Sequence, residues 1–186
     1  MHKPLSTLRD RKAPTKDFRK AAHEIAAILS KEALRRVRKE KVHASRTVVL
    51  VPILRAGLAL LPAFLEKFPE ASVGFIGLKR NEKTLKPKAY YQNIPKISKS
   101  DKVIVLDPML ATGGSAVAGI RALVEAGAQE KNITFVGVIS APEGLEKLQT
   151  NFPLVDMLIA VHDEKLDKNG YIVPGLGDFG DRYFGT

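Results

Sequence analysis

The chain has 186 residues, enough for one domain with a substantial core, and 45% of them are hydrophobic. It contains no Cys, which excludes disulfides and thiolate metal sites and fits a reducing compartment, and its four His residues (His2, His23, His43 and His162) show no metal-ligand spacing. The net charge is +10, yet residues 1–46 hold 14 Lys and Arg against 5 Asp and Glu, so the excess lies on the N-terminal segment and the rest is almost neutral.

Residues 1–14 carry Pro4 and Pro14 and read as irregular. A helix is expected from Thr15 to Arg38, because Phe18, Ala22, Ile25, Leu29 and Ala33 fall on one helical face. Thr15 is a plausible N-cap, and Lys31, Arg35, Arg36, Arg38 and Lys39 crowd the end where the helix dipole favours cations. No aromatic residues interleave with these charges, so a solvated helix face is preferred over a nucleic-acid surface. No apolar run reaches bilayer length and no secretory signal opens the chain, which predicts a soluble cytoplasmic protein.

Thr47 to Pro52 is a β-branched apolar run, read as a buried strand, and it leads into Ile53-Leu54-Arg55-Ala56-Gly57 and a helix from Leu58 to Lys67. Ser72 to Leu78 is a second strand. Residues 79–101, with two Pro and the pair Tyr90-Tyr91, show no period and read as an irregular flap. Further strands are expected at 103–106, 133–139 and 157–161, with helices from Ser115 to about Gly127 and from Pro142 to about Gln149. This alternation predicts an α/β domain with a mainly parallel sheet flanked by helices.

The most informative stretch is Val103-Ile104-Val105-Leu106-Asp107-Pro108-Met109-Leu110-Ala111-Thr112-Gly113-Gly114-Ser115. A buried strand ends at an acid, and a loop with two glycines and two hydroxyls leads into a helix. Glycines let backbone N–H groups converge, and the helix start adds its unpaired N–H groups and positive dipole end, which together suit a phosphate. No Gly-Lys-Ser/Thr is present, so this is not a Walker A loop.

The tail, residues 163–186, holds five glycines and Pro174 and is expected to be irregular. Gly175-Leu-Gly-Asp-Phe-Gly180 matches a dinucleotide pattern, but with six residues left there is no room for a helix or a βαβ unit. Its apolar residues, among them Tyr171, Ile172, Val173, Leu176, Phe179, Tyr183 and Phe184, suggest a hood folded over a site.

Three segments together resemble the uracil phosphoribosyltransferase family: Val51-Pro-Ile-Leu-Arg55-Ala-Gly-Leu58, Leu106-Asp-Pro-Met-Leu-Ala-Thr-Gly-Gly-Ser115, and Gly170 to Thr186, supported by Gly77-Leu-Lys-Arg-Asn81 and Ala141-Pro-Glu-Gly-Leu145. The resemblance spans nearly the whole chain in order. It implies a phosphoribosyltransferase-like fold, one domain over 1–186 with residues 163–186 as the hood, and transfer of the 5-phosphoribosyl group from phosphoribosyl pyrophosphate to uracil with Mg²⁺ held by the substrate rather than by side chains. It implies that Arg55, Arg80 and Asp107 are catalytic. It implies that phosphoribosyl pyrophosphate is bound by these three with Pro108, Met109, Leu110, Ala111, Thr112, Gly113, Gly114, Ser115 and Asp178. It implies a uracil pocket from Ile172, Gly177, Asp178 and Phe179, and a homo-oligomer, with no membrane or nucleic-acid partner. The chain departs from the family pattern in a short segment before Thr47, in Lys79, and in Phe179, where bacterial members usually carry Ala. The other reading, motivated by the basic N-terminal helix, is an RNA-binding pyrimidine regulator on the same fold.

Overall fold

The structure, a computed structural model, describes residues 2–39, 47–80 and 87–186, with Arg80 and Pro87 described by their backbone alone. The central sheet runs in the order β4–β3–β1–β5–β7–β6, built from β1 (Val48–Leu54), β3 (Phe75–Arg80), β4 (Pro87–Asn93), β5 (Lys102–Leu106), β6 (Met109–Leu110) and β7 (Ile133–Ser140). A two-residue β2 (Ser72–Val73) pairs with β1, and β8 (Asp156–His162) pairs with β7. All pairings in this sheet are parallel except β3 with β4.

Helices cover both faces, which is why the central strands read as continuous apolar runs rather than alternating ones. On β1 and β5 the side chains still alternate between two cores. Leu50, Ile104 and Leu106 join the core under α2 (Thr15–Lys39) and α3 (Leu61–Lys67). Val49, Val51, Ile53, Val103 and Val105 join the core under α4 (Gly114–Glu125), with Leu148 of α5 (Pro142–Asn151) in the same cluster. Burial of each such side chain contributes about 1.5–3 kcal/mol. The result is a rigid sheet whose carboxyl ends at β1 and β5 lie side by side, since Pro52 stands opposite Leu106.

Several expectations are corrected. Residues 2–9 form α1 (His2–Arg9) and not an irregular arm: Pro4 sits in the first turn, where its missing N–H costs nothing, and Leu8 is fully buried. The second strand is split at Gly74 into two stretches that pair with β1 in one register, Ser72–Val73 against Val49–Leu50 and Ile76–Gly77 against Ile53–Leu54. The expected flap is partly the antiparallel edge strand β4, in which Tyr91 pairs with Gly77. The exposed Tyr90 ring lies over Gly77, 2.6 Å from where a β-carbon would stand. The tail contains the short pair β9 (Lys165–Leu166) and β10 (Ile172–Val173), then α6 (Phe179–Phe184). Asp178 caps α6 by accepting from the Asp181 N–H at 2.9 Å, so a helix does fit there, although it starts inside the glycine pattern and completes no parallel βαβ unit. The segment whose shortness departs from the family, residues 40–46, lies outside the described residues.

No helix among the described residues is long and apolar enough to cross a membrane. Basic residues on α2 are committed within the chain: Arg19 donates to the Tyr183 carbonyl at 2.7 Å, Arg35 and Arg36 both pair with Glu32, and Arg36 also reaches Asp156 at 2.8 Å.

Candidate active site

The backbone of Asp107 prolongs β5 by donating to the Val136 carbonyl at 3.1 Å. Pro108 has no N–H to give; its carbonyl accepts from Val138 and Ile139, and the chain re-enters the sheet as β6, an element the sequence did not suggest. Asp107 thereby stands at the carboxyl end of the interior strand β5, where it lines two cavities. Its carboxyl keeps one face toward a cavity while the surrounding chain strips its water. Burial pushes its pKa from the usual carboxylate range up to about 7, against the weaker opposing effect of the Met109 N–H, 3.4 Å from Oδ1.

After β6 the loop turns into α4. Gly113 is the N-cap, with φ 73° in the left-handed region, and no side chain caps the helix. The underside of the loop rests on α5: a β-carbon on Gly144 would sit 2.5 Å from the Ala111 carbonyl and 2.6 Å from that of Leu110. Gly144 therefore sets how deep the loop lies, a role with no local signal in its sequence neighbourhood. The upper side of the loop opens on a cavity of about 160 Å³ lined by Asp107 and by Met109 through Ala116. Uncapped helix N–H groups facing a backbone-lined hollow make an anion site.

Gly113 and not Gly114 is the strained position, since Gly114 opens α4 with an ordinary helical backbone. Gly113→Val is expected to weaken binding of a phosphate-bearing ligand at this loop by about tenfold or more, because a β-branched residue resists φ > 0. Its β-carbon would also press on the Gly144 carbonyl at 3.0 Å. Calorimetric titration beside a melting curve checks this; normal binding with a sharply lowered melting point would assign Gly113 to the fold alone.

A second cavity of about 220 Å³ adjoins the first, sharing Asp107, Met109 and Ser115. Its other walls include Arg55 and Ala56 from the end of β1 and Asp178, Phe179 and Gly180 from the tail. Gly57 permits this approach: a β-carbon there would lie 2.2 Å from the Leu106 carbonyl, so the Arg55–Gly57 turn can press directly on the end of β5. The Leu54–Arg55 peptide is cis. The Arg55 guanidinium donates to Asp181 Oδ1 at 2.8 Å.

The structure thus brings Arg55, Asp107, Met109, Ser115, Asp178 and Phe179 to one cavity, and places Leu110, Ala111, Thr112, Gly113 and Gly114 around the adjoining one. Pro108 serves the sheet ladder behind it. The Arg80 backbone ends β3 beside β1, on the same rim, and its side chain lies outside the described residues. Ile172 and Gly177 stand outside the lining of both cavities: Ile172 is 3% exposed in the α2-side core, and the open face of Gly177 meets Arg11 and Arg182. Phe179 gives the cavity an edge, but its ring is buried against Phe18 at 5.1 Å between centroids. The large side chain fills the core and is not a plug in the pocket.

A larger groove of about 470 Å³ lies between α1 and α2, but Lys3 and Lys20 alternate there with Asp10, Asp17 and Glu24, so no charge of one sign converges. Among the described residues no group of three or more His, Asp or Glu side chains is gathered as a metal site. Sequence reasoning missed Arg9, Asp163 and Arg182, which tie the tail to the first helix; contacts separated by more than 150 residues leave no local pattern.

The chain is similar to known proteins over nearly its whole length. A curated relative from Limosilactobacillus fermentum, a uracil phosphoribosyltransferase, is 43% identical over 98% of this chain and 92% of its own length. One from Clostridium acetobutylicum with the same name is 46% identical over 100% of this chain and 94% of its own. The solved structure of the AQ2163 protein from Aquifex aeolicus superposes with a TM-score of 0.88 at 35% identity, covering 98% of this chain and 93% of that one. The family model for uracil phosphoribosyltransferase matches residues 1–186, end to end, and the chain belongs to that family.

Proposed function

We propose that this enzyme transfers the 5-phosphoribosyl group from phosphoribosyl pyrophosphate to uracil, releasing pyrophosphate and forming uridine monophosphate. The observation that carries the reading is the shared lining of the two cavities, in which the Asp107 loop, the Arg55 turn and the Asp178 hood face one another.

In this reading Ala111 to Ser115 hold the 5′-phosphate through main-chain N–H groups and hydroxyls at the start of α4. Asp107 accepts hydrogen bonds from the ribose hydroxyls. Arg55 and Arg80 hold the pyrophosphate, and main-chain groups of Asp178 and Phe179, where the tail lines the cavity, read the alternating carbonyl and N–H edge of the base. Displacement at the anomeric carbon passes through an oxocarbenium-like state, so positive charge grows on the ribose and negative charge on the leaving group. No side-chain nucleophile is required; positioning and electrostatics lower the barrier. Mg²⁺ fits a site with hard oxygen donors and one aimed carboxylate, because this ion is commonly held by one or two carboxylates plus substrate phosphates. When bound it would neutralise the pyrophosphate. A homo-oligomer in the cytoplasm belongs to the same reading and rests on the family resemblance.

The test is to supply labelled uracil, cytosine, hypoxanthine, guanine and orotate singly with phosphoribosyl pyrophosphate and Mg²⁺, then identify the nucleotide. Uridine monophosphate from uracil is expected. A nucleotide formed only from another base would overturn the assignment.

A further inference from the structure

The segment that leads into the base-reading residues is held from the opposite end of the chain. Asp163 follows β8, and its side chain is only 2% exposed. Arg9, the last residue of α1, donates to both carboxylate oxygens: from Nη2 to Oδ1, and from Nη1 to Oδ2 at 3.1 Å. Oδ2 also accepts the Gly175 N–H at 2.9 Å, while Arg9 Nη1 donates to the Gly175 carbonyl at 3.3 Å. Gly175 has φ 63°, and a β-carbon there would lie 2.0 Å from the Ile172 carbonyl, so the turn has a single tight shape.

A second guanidinium closes the other side. Arg182 of α6 donates to the carbonyls of Leu8, Leu176 (2.6 Å) and Asp10 (2.6 Å) and lies 4.2 Å from the centre of the Phe18 ring. The stretch from Gly175 to Gly177 is therefore gripped between Arg9 with Asp163 and Arg182, and both grips start from the Leu8–Asp10 turn.

We propose that Arg9 and Asp163 are positioning residues for base recognition, making the first helix of the chain part of the uracil-binding machinery. The proposal rests on the function assigned above. A recognition edge made of main-chain groups has no rotamers with which to adjust, so its accuracy is that of whatever holds the backbone. A two-pronged arginine–carboxylate pair gives a fixed geometry. Because the carboxylate is buried, loss of the arginine leaves an unpaired charge and the turn must rearrange. The phosphate loop rests on α5 instead.

Arg9→Lys, Arg9→Ala and Asp163→Asn would be compared in steady-state kinetics, each substrate varied against saturation with the other. Hydrogen exchange of the Gly175–Gly180 amides would be measured on the same proteins without ligand. The expected result is a KM for uracil raised by about tenfold or more, a KM for phosphoribosyl pyrophosphate within about twofold of wild type, and faster exchange confined to the tail. Arg9→Lys, which keeps the charge without the planar fork, should lie between wild type and Arg9→Ala, and it serves as the readout if the alanine variant does not fold. Equal changes in both KM values, or a lowered melting point with the uracil KM unchanged, would overturn the proposal and leave a purely structural clamp. A wild type that forms no uridine monophosphate overturns the function instead; unchanged tail exchange in Arg9→Ala would then reject the clamp on its own.

Discussion

Asp107→Asn is expected to keep the fold and lower turnover by about 10²–10³-fold, the size of the loss when one preorganised electrostatic contact is removed. The amide matches the carboxylate in shape but offers one weaker acceptor where the ribose presents two hydroxyls. The raised pKa adds a pH signature. With the carboxyl pushed up to about 7, the empty wild-type site is half protonated near neutrality. Its charged form, the acceptor the ribose needs, accumulates only as pH rises through that value. The kcat/KM for phosphoribosyl pyrophosphate should therefore climb through about pH 7 and level off above it, and the asparagine variant should lose that limb. The stability sign runs the other way. A carboxyl whose folded pKa is raised favours the folded state below its unfolded value of 3.8, and that contribution is lost as pH rises to about 7. The variant has nothing to ionise, so its melting point should gain on wild type between pH 4 and 7 and hold that gain above. Turnover within about threefold of wild type would remove Asp107 from the mechanism, and a melting-point difference flat with pH would remove its burial cost.

How much of this was legible in the sequence depended on how local the cause was. The strands at Val48–Leu54 and Lys102–Leu106 announced themselves as β-branched runs buried on both faces. The acid, glycines and hydroxyls of the phosphate loop occupy consecutive positions, so the candidate site could be read directly. Other features depend on partners far along the chain. Residues 2–9 read as irregular because of Pro4 and Pro14; eight residues cannot form a stable helix alone, and burial of Pro4 and Leu8 holds them. The edge strand at Pro87–Asn93 has no alternating pattern, since Tyr90 and Tyr91 are both exposed, and it is specified by pairing with β3. Gly57 and Gly144 looked like ordinary glycines until the carbonyls they make room for, Leu106 and Ala111, were in place. Phe179 stood out in the sequence only as a departure from the family pattern, because its ring partner, Phe18, is far away in sequence.

Arg55→Ala is expected to lower turnover at saturating substrates by about 10²-fold, and Arg55→Lys by about tenfold. The pyrophosphate gains charge as the glycosidic bond breaks, so a guanidinium beside it binds the transition state more tightly than the substrate and lowers the barrier. Lysine keeps the charge but not the fork, which is why part of the loss should persist. In the structure Arg55 is half exposed and donates to Asp181 Oδ1, also half exposed, at 2.8 Å. Its guanidinium lies 5.9 Å from the Phe184 ring centre. An exposed ion pair of this kind contributes only about 0–1 kcal/mol, so a multiply charged pyrophosphate can displace Asp181 at little cost. The contact keeps the arginine near the rim before substrate arrives without committing it. Asp181→Asn should therefore leave turnover within a few-fold of wild type, in contrast to either arginine variant. Steady-state and single-turnover kinetics on the three proteins separate the possibilities. If the arginine variants raise only the KM for phosphoribosyl pyrophosphate and the single-turnover rate is unchanged, Arg55 binds substrate and transition state equally, and its leaving-group role is wrong.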